Sequence, residues 1–326
     1  MKAVALVSGG LDSILAMKIV QEMGIDVIPL HIITPFNESC CSNLTLLSEL
    51  IENQGLKLET VNAGMDYVEM VKKPKFGYGS AINPCRDCRA YMLKKAKEIM
   101  DKEGANFIVT GEVLDQRPMS QNKKAMMLVE KEMGLEGTIL RPLSGKILPP
   151  TIPEQKGLVD RYKMLDIKGR SRKRQAELAR KLGLNDWPNS AGGCLLTDQR
   201  FALKLKDLFK HKQSYFIDDI SILKVGRHFR LSKDTKLVIG RNEKENQLLS
   251  FFKRFPLLMP VNFNGPTGVL DGNIENAGLA ASIVYSYSDK VDDPVIALCT
   301  VDKTEKIIPQ AISREMAKKY LIINHQ

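Results

Sequence analysis

The sequence predicts an α/β, doubly wound parallel sheet over residues 1–212 and a smaller, β-rich α+β domain over 213–326. Three observations carry this. The chain opens with a hydrophobic run, a Gly-rich turn and a stretch of helical periodicity, which reads as strand, turn and helix. Up to residue 111, β-like and helical segments alternate, as crossover-connected parallel strands require. After about residue 213, short β-like runs alternate with turn residues. A chain of 326 residues is long enough for two cores.

Taken in order, Ala3-Val4-Ala5-Leu6-Val7 reads as a buried strand. In the stretch 14–23, Leu15, Ala16, Ile19 and Val20 repeat at helical spacing. Residues 26–31 read as a second strand, 44–54 as a helix and 56–61 as a third strand. Residues 88–102 are strongly helical, and 106–111 form a fourth strand ending in Gly111. Ligands of such sheets bind at the C-terminal strand ends, where Gly10, the turn starting at His31 and Gly111-Glu112 fall. Residues 142–153, with Pro149-Pro150, mark a long connection. Helices follow at 172–182 and 198–210. Between them, 185–194 is too rich in Gly, Pro and Asn for regular structure. Later β-like runs fall at 220–225, 236–239, 268–270, 280–287 and 295–301.

Between the first strand and helix lies Ser8-Gly9-Gly10-Leu11-Asp12-Ser13. Strand, Gly turn and helix N-terminus form an anion cradle. Glycines let the backbone approach, and free amide N–H groups and the helix dipole face the charge. Ser8 and Ser13 add hydroxyl donors, and Asp12 can help hold a Mg2+ on bound phosphates. The blander reading is a βα turn with no ligand.

Composition is that of a soluble globular protein, 44% hydrophobic and 26% charged. No apolar run approaches the ~20 residues of a membrane span. Met1-Lys2 leads straight into the first strand, so no signal peptide is expected and the expected compartment is the cytoplasm. The net charge is +10, and residues 161–260 alone carry +13. Their densest run is Lys168-Gly169-Arg170-Ser171-Arg172-Lys173-Arg174. Concentrated positive charge suggests a polyanion partner, since neutralising phosphates releases counterions. A solvated basic helix start is the alternative.

Six cysteines in a cytosolic chain point to chemistry more than to disulfides. Cys299 sits in a buried-strand pattern and reads as packing, and Cys40-Cys41 lie at a loop-to-helix junction. Pro84-Cys85-Arg86-Asp87-Cys88 is a C-x-x-C before a helix. By itself it is open between a zinc half-site, a redox pair, a cluster site and structural thiols. Cys194 adds a third thiol in a flexible Gly-Gly-Cys loop.

The Ser8–Ser13 loop resembles the SGGxDS loop of the ATP pyrophosphatase (PP-loop) superfamily. Residues 82–89, with the following helix and Ile108-Val109-Thr110-Gly111, look like the central block of tRNA 2-thiouridylases of the MnmA/TrmU type. The helix at 172–184 and the loop carrying Cys194 match that family's order of parts. Other PP-loop tRNA thiolases share the plan. The resemblance covers residues 1 to about 210. It implies a tRNA-uridine 2- or 4-sulfurtransferase: ATP adenylates a uridine carbonyl oxygen, and sulfur then displaces AMP. Ser8, Gly9, Gly10, Asp12 and Ser13 would hold ATP and Mg2+, with His31 and Gly111 beside them. Cys88 and Cys194 would bring sulfur. Some members have Asp where this chain has Cys85. Three thiols match the thiolases that bind a [4Fe-4S] cluster through three cysteines, leaving one iron free for sulfide. The competing route is a Cys194 persulfide resolved by Cys88, which leaves Cys85 unexplained. The sulfur donor would be sulfide or a sulfur-carrier or desulfurase protein, and a homodimer is compatible with the chain.

Relatives often carry Gly-His after the fourth strand, where this chain has Gly111-Glu112, so no role for that His transfers. Asp87 and Glu112 are candidate neighbours of the reacting centre, and Asp87 reads equally as a helix-start charge. The family's C-terminal β-barrel is not evident. Instead, residues 225–230 and Gly240-Arg241-Asn242-Glu243-Lys244-Glu245-Asn246 resemble an NFACT-R-like RNA-binding domain. Arg227, Arg230 and Arg241 offer phosphate forks, and His228 and Phe229 offer stacking surfaces, alongside Arg170, Arg172, Lys173 and Arg174. The alternative for the Asn-rich motif is a capped turn with a surface Arg. Two rival functions remain. One is a PP-loop enzyme adenylating a small molecule, which the basic second domain argues against. The other is an RNA-binding protein with a vestigial loop, which the intact loop and three thiols argue against.

Overall fold

The computed structural model describes residues 1–37, 41–184 and 194–322. They form two compact units, Met1–Thr197 and Asp198–Gln326. The division falls earlier than the 212/213 boundary expected from the sequence. The helix Gln199–His211 belongs to the second unit, where Lys204 Nζ donates to the Leu223 carbonyl at 3.0 Å and Asp207 pairs with Arg230.

In the first unit the order is β1 (Lys2–Leu6), α1 (Leu11–Glu22), β2 (Asp26–Ile33), α2 (Cys41–Glu52), β3 (Glu59–Asn62), α3 (Met65–Lys72), α4 (Cys85–Glu103), β4 (Phe107–Thr110), α5 (Lys123–Met133), β5 (Ile139–Leu140), α6 (Ile152–Gln155) and α7 (Lys173–Lys181). The sheet runs β3-β2-β1-β4-β5 with every pairing parallel. This is the doubly wound architecture read from the sequence. Strands β1 and β4 are apolar along nearly their whole length because helices cover both faces. The order reverses between β1 and β4, the switch point at which such sheets leave a crevice.

The second unit runs α8 (Gln199–His211), α9 (Ile217–Ser221), β6 (Arg227–Ser232), β7 (Thr235–Ile239), α10 (Glu243–Ser250), β8 (Leu257–Pro260), β9 (Gly268–Asp271), α11 (Ala277–Ser286), β10 (Ile296–Cys299), β11 (Thr304–Ile307) and α12 (Arg314–Lys318). Its antiparallel sheet has the order β11-β10-β8-β9-β7-β6. Two β-like runs prove helical. Residues 280–287 belong to α11, which is buried from Ala280 to Ser286. Residues 220–225 are the end of α9 and a following 3-10 turn. A helix buried on all sides shows no polar stripe, so a short apolar run does not distinguish it from a strand. Among the described residues no helix is long and apolar enough to cross a membrane.

Candidate active site

The phosphate loop is ordered by its own side chains. Gly9 has a φ of +80°, in the left-handed region. Ser13 Oγ donates to the Gly10 carbonyl at 2.8 Å and accepts the Ser8 amide at 3.1 Å. Gly10 caps α1 from an extended conformation, so the first amides of the helix face the crevice. Gly111, at the end of β4, touches this turn. A Cβ there would lie 2.5 Å from the Asp12 carbonyl carbon and from Ser13 N and Cα.

Asp12 points out of the first turn of α1. Its Oδ2 accepts from Gln116 Nε2 at 3.2 Å and lies 3.9 Å from Arg172 Nε. Its Oδ1 is buried with no hydrogen-bond partner among the described residues. An orphaned carboxylate oxygen beside a phosphate cradle suits a hard, oxygen-seeking cation, so the loop fits Mg2+. Arg172, expected to serve RNA, therefore faces the nucleotide loop. It is brought there because Gly169 N donates to the Leu114 carbonyl at 2.8 Å and Ser144 ties Leu114 to Ile167. Arg174 is paired with Asp166, while Arg170 and Lys173 are exposed.

His31 lies at the C-terminal half of β2. Its Nδ1 is 2.7 Å from the Val7 carbonyl, so that nitrogen carries the proton and Nε2 keeps its lone pair. Burial lowers its pKa despite the Val7 bond, so the ring is neutral at neutral pH.

The three thiols are delivered by separate parts of the unit. Cys85 and Cys88 occupy the first turn of α4. Cys194 arrives on a segment pinned at two points: Leu195 N donates to the Phe36 carbonyl, and Ile82 N donates to the Leu196 carbonyl, each at 3.1 Å. All three thiols act electrostatically on the phenol of Tyr67. Tyr67 is 2% exposed, wedged between the rings of Phe36 and Tyr91, and its hydroxyl donates to Cys88 Sγ at 3.0 Å. Burial pushes all three thiols up, Cys194 to about 11. The positive charge of Arg117 opposes this at each of them, and that of Arg89 at Cys85 and Cys88. Loading a metal would thus release protons.

Among the described residues no three His, Cys, Asp or Glu side chains surround a single ion position. A cluster takes its protein thiolates on different irons. Three thiols within electrostatic reach of one another, with a phenol donor to one of them and two guanidiniums acting on them, therefore fit a cluster as donor set and charge balance. The loop after β4 joins the two halves of the site: Gln116 holds Asp12, and the next residue, Arg117, lies within electrostatic reach of the thiols. Tyr67, Gln116 and Arg117 carried no signal in the sequence, since none belongs to a motif or a periodic face.

The two acidic candidates are structural. Asp87 accepts the backbone amides of Lys75 and Phe76, at 2.7 and 3.2 Å. Glu112, 1% exposed, bridges Arg89 at 3.0 Å and Arg141 at 2.9 Å, and Arg141 in turn pairs with Glu130. Burial alone would raise the Glu112 pKa. The two guanidiniums outweigh it and hold the carboxyl below its ordinary value. Cys40 and the loop 185–193 lie outside the described residues.

The second unit redistributes the expected RNA contacts. His228 is fully buried, with Nε2 2.8 Å from the Val225 carbonyl, and its pKa is driven well down by burial and by Lys204 and Lys236. Phe229 lies in the core beneath α11. Neither offers a stacking surface. Arg230 is paired with Asp207, and Arg241 with Glu245. The Asn-rich motif is a capped helix start. Asn242 accepts from Glu245 N at 3.0 Å, Glu245 accepts the Arg241 amide, and Asn246 accepts Thr267 N at 3.1 Å. Arg227 is half-buried, its guanidinium 5.1 Å from the Tyr287 ring centroid and its Nη1 donating to the Gly240 carbonyl at 3.5 Å, with no carboxylate partner among the described residues.

Residues 1–147 match the family model of the thiamine biosynthesis protein ThiI, and residues 226–321 match that of the NFACT protein RNA binding domain. The first part of the chain is thus similar to ThiI, rather than to the MnmA/TrmU type expected from the sequence, and the last part to the NFACT RNA-binding domain. A probable tRNA sulfurtransferase of Thermococcus kodakarensis is 33% identical over 147 residues, 44% of this chain and 37% of that protein. Another, of Methanosarcina mazei, is 27% identical over 213 residues, 62% of this chain and 44% of that protein. The chain spans less than half the length of these curated relatives. Among solved structures, a 4-thiouridine synthetase in complex with RNA and ATP is similar, with 18% identity and a TM-score of 0.40 over 68% of this chain and 52% of that one. The tRNA thiolase NcsA of Methanococcus maripaludis with its [4Fe-4S] cluster has 16% identity and a TM-score of 0.37, over 68% and 70%.

Proposed function

We propose that this chain is an ATP-dependent tRNA uridine sulfurtransferase whose three thiols carry a [4Fe-4S] cluster. One observation carries the reading: the Gly-rich loop at the start of α1 and the thiols of Cys85, Cys88 and Cys194 lie in one unit, with Gln116 bonded to the first and Arg117 acting on the second. The ThiI and RNA-binding family matches support it, as do relatives named tRNA sulfurtransferase.

In this reading, the amides at the start of α1 and the Ser8 and Ser13 hydroxyls bind the pyrophosphate end of ATP. Asp12, whose Oδ1 lacks a partner, would help hold Mg2+, while Gln116 fixes its other oxygen. Arg172, beside Asp12, meets phosphate charge from the solvent side. Neutral His31 offers Nε2 as an acceptor at the nucleotide edge. The target uridine must leave its stack to reach the loop. Cys85, Cys88 and Cys194 would hold the cluster, with Tyr67 hydrogen-bonded to one of its ligands. When bound, the cluster would supply iron able to take up sulfide for transfer to the activated base.

The test is an anaerobic assay of reconstituted protein with ATP, Mg2+, sulfide and unmodified tRNA, read by nucleoside mass spectrometry beside an iron-free sample. Thiouridine only in the reconstituted sample is expected, and the isomer identifies the 2- or 4-position. Equal product without iron would remove the cluster and leave direct attack by sulfide on the adenylated base; iron-free product formed only when a cysteine desulfurase and cysteine replace sulfide would point to a Cys194 persulfide. ATP cleavage without thiouridine in either sample would turn the reading towards a small-molecule substrate.

A further inference from the structure

Two of the cations that the second unit sets against aromatic rings are already neutralised. Arg254 lies 4.1 Å from the Phe216 ring centroid and Lys212 5.6 Å from that of Phe255. Both are paired with the buried Asp219, and Lys212 also with Asp271. Their charge is spent inside the fold.

A second cluster differs. Tyr287 ends α11, with the edge of its ring against Phe229 at 5.9 Å. Two guanidiniums flank that ring, Arg227 from the start of β6 at 5.1 Å and Arg314 from α12 at 5.4 Å. Lys290 stands 4.0 Å from the neighbouring Tyr285 ring, close enough to Arg314 for their charges to act on one another. Among the described residues none of these three cations has a carboxylate within ion-pair distance, and the adjacent acids Asp289 and Glu315 do not reach them. Arg314 is held in place by its bond from Nε to the Ser286 carbonyl at 3.0 Å, and Lys290 by a bond to the Tyr285 carbonyl at 2.9 Å. Like charges fixed around one ring repel, and an anion between them relieves that repulsion. An aromatic face between two forked donors suits a phosphate backbone with a base beside it.

We propose that Arg227, Tyr287, Arg314 and Lys290 form the RNA-gripping surface of the second unit, with Arg254 and Lys212 outside it. The assignment rests on the RNA substrate proposed above. It is tested with the full chain and an unmodified tRNA transcript, by fluorescence anisotropy across a salt series. Arg227→Gln and Arg314→Gln should each reduce the slope of log affinity against log salt by roughly 0.7–0.9. Arg227→Lys should restore the slope, which a purely structural role would not predict. Tyr287→Leu should weaken binding at unchanged slope, and Arg254→Gln should leave both unchanged. Thermal melts show that each variant is folded. A wild-type chain that ignores tRNA overturns both the RNA reading and this assignment. Wild-type binding that survives the Arg227 and Arg314 substitutions at full slope, or that falls with Arg254→Gln instead, overturns the placement alone.

Discussion

Gly111→Ala should injure the nucleotide loop from a position just past β4 that has no side chain of its own. The added methyl would start 2.5 Å from three backbone atoms of Asp12 and Ser13. Relaxed carbon contacts lie at about 3.5–4.0 Å, so the end of β4 and the start of α1 must part by about 1 Å. Overpacking of this kind costs about 1–3 kcal/mol. Borne by the fold, it lowers Tm by about 2–12 °C for a unit of this size. Borne by the loop, it weakens ATP binding roughly 5- to 150-fold. Thermal melts and calorimetric ATP titrations on the same sample separate the two. Gly278→Ala is the control, since nothing lies within 4 Å of its Cβ position. Wild-type Tm together with wild-type ATP affinity in Gly111→Ala would refute the close approach of β4 to the loop.

Three further substitutions probe buried chemistry. Glu112→Gln leaves Arg89 and Arg141 without their shared carboxylate and should cost about 3–5 kcal/mol in urea melts. Because the folded pKa of Glu112 lies below its unfolded value, its contribution is present above pH 4.5 and fades as pH falls through the folded pKa; the variant's stability should fall less steeply over that acid window, and an identical acid limb would count against the bridge. Tyr67→Phe keeps the ring packing but removes the hydrogen bond to Cys88, so a bound cluster should lose tens of millivolts of reduction potential in an anaerobic titration. An unmoved potential would show that the hydroxyl does not act on the sulfur. Lys236, 1% exposed with Nζ unpartnered among the described residues, is pushed by burial from 10.5 to about 8. It therefore weakens the fold below pH 8, and the penalty fades as pH rises towards 10.5. Lys236→Met should add on the order of 3 kcal/mol at neutral pH and flatten that rise, unless Asp271 and Asp207 depend on the ammonium.

The first unit was legible because its signals are local. A Gly-rich loop needs a strand before it and a helix after it, and periodicity shows both. Cys85 and Cys88 share one helix turn, so their spacing reads directly. The partners of those groups were not legible. Tyr67 comes from α3, and Gln116 and Arg117 from an aperiodic loop, so only tertiary packing unites them with the site. In the second unit the reading of single residues failed at strand β6. His228 and Arg230 face the layer that holds Lys204 and Asp207, opposite to the face bearing Arg227 and Phe229. A period of two makes every second residue an internal one. Composition shows that Arg and His are present but not which side of the sheet receives them. The same blindness misassigned 280–287, where a helix enclosed on all sides has no polar face to betray its period.

The pinning of Cys194 to Phe36 and Ile82 also orders events during synthesis. Cys85 and Cys88 leave the ribosome 109 and 106 residues ahead of Cys194. Until nearly the whole first unit has been made, the emerging chain carries only two of these three thiols. The third thiol then arrives by closing a main-chain latch against two distant segments. If the three thiols hold the proposed cluster, iron offered too early would meet an incomplete set of ligands, and a truncation before residue 194 should then yield a protein that cannot retain iron however well its sheet assembles.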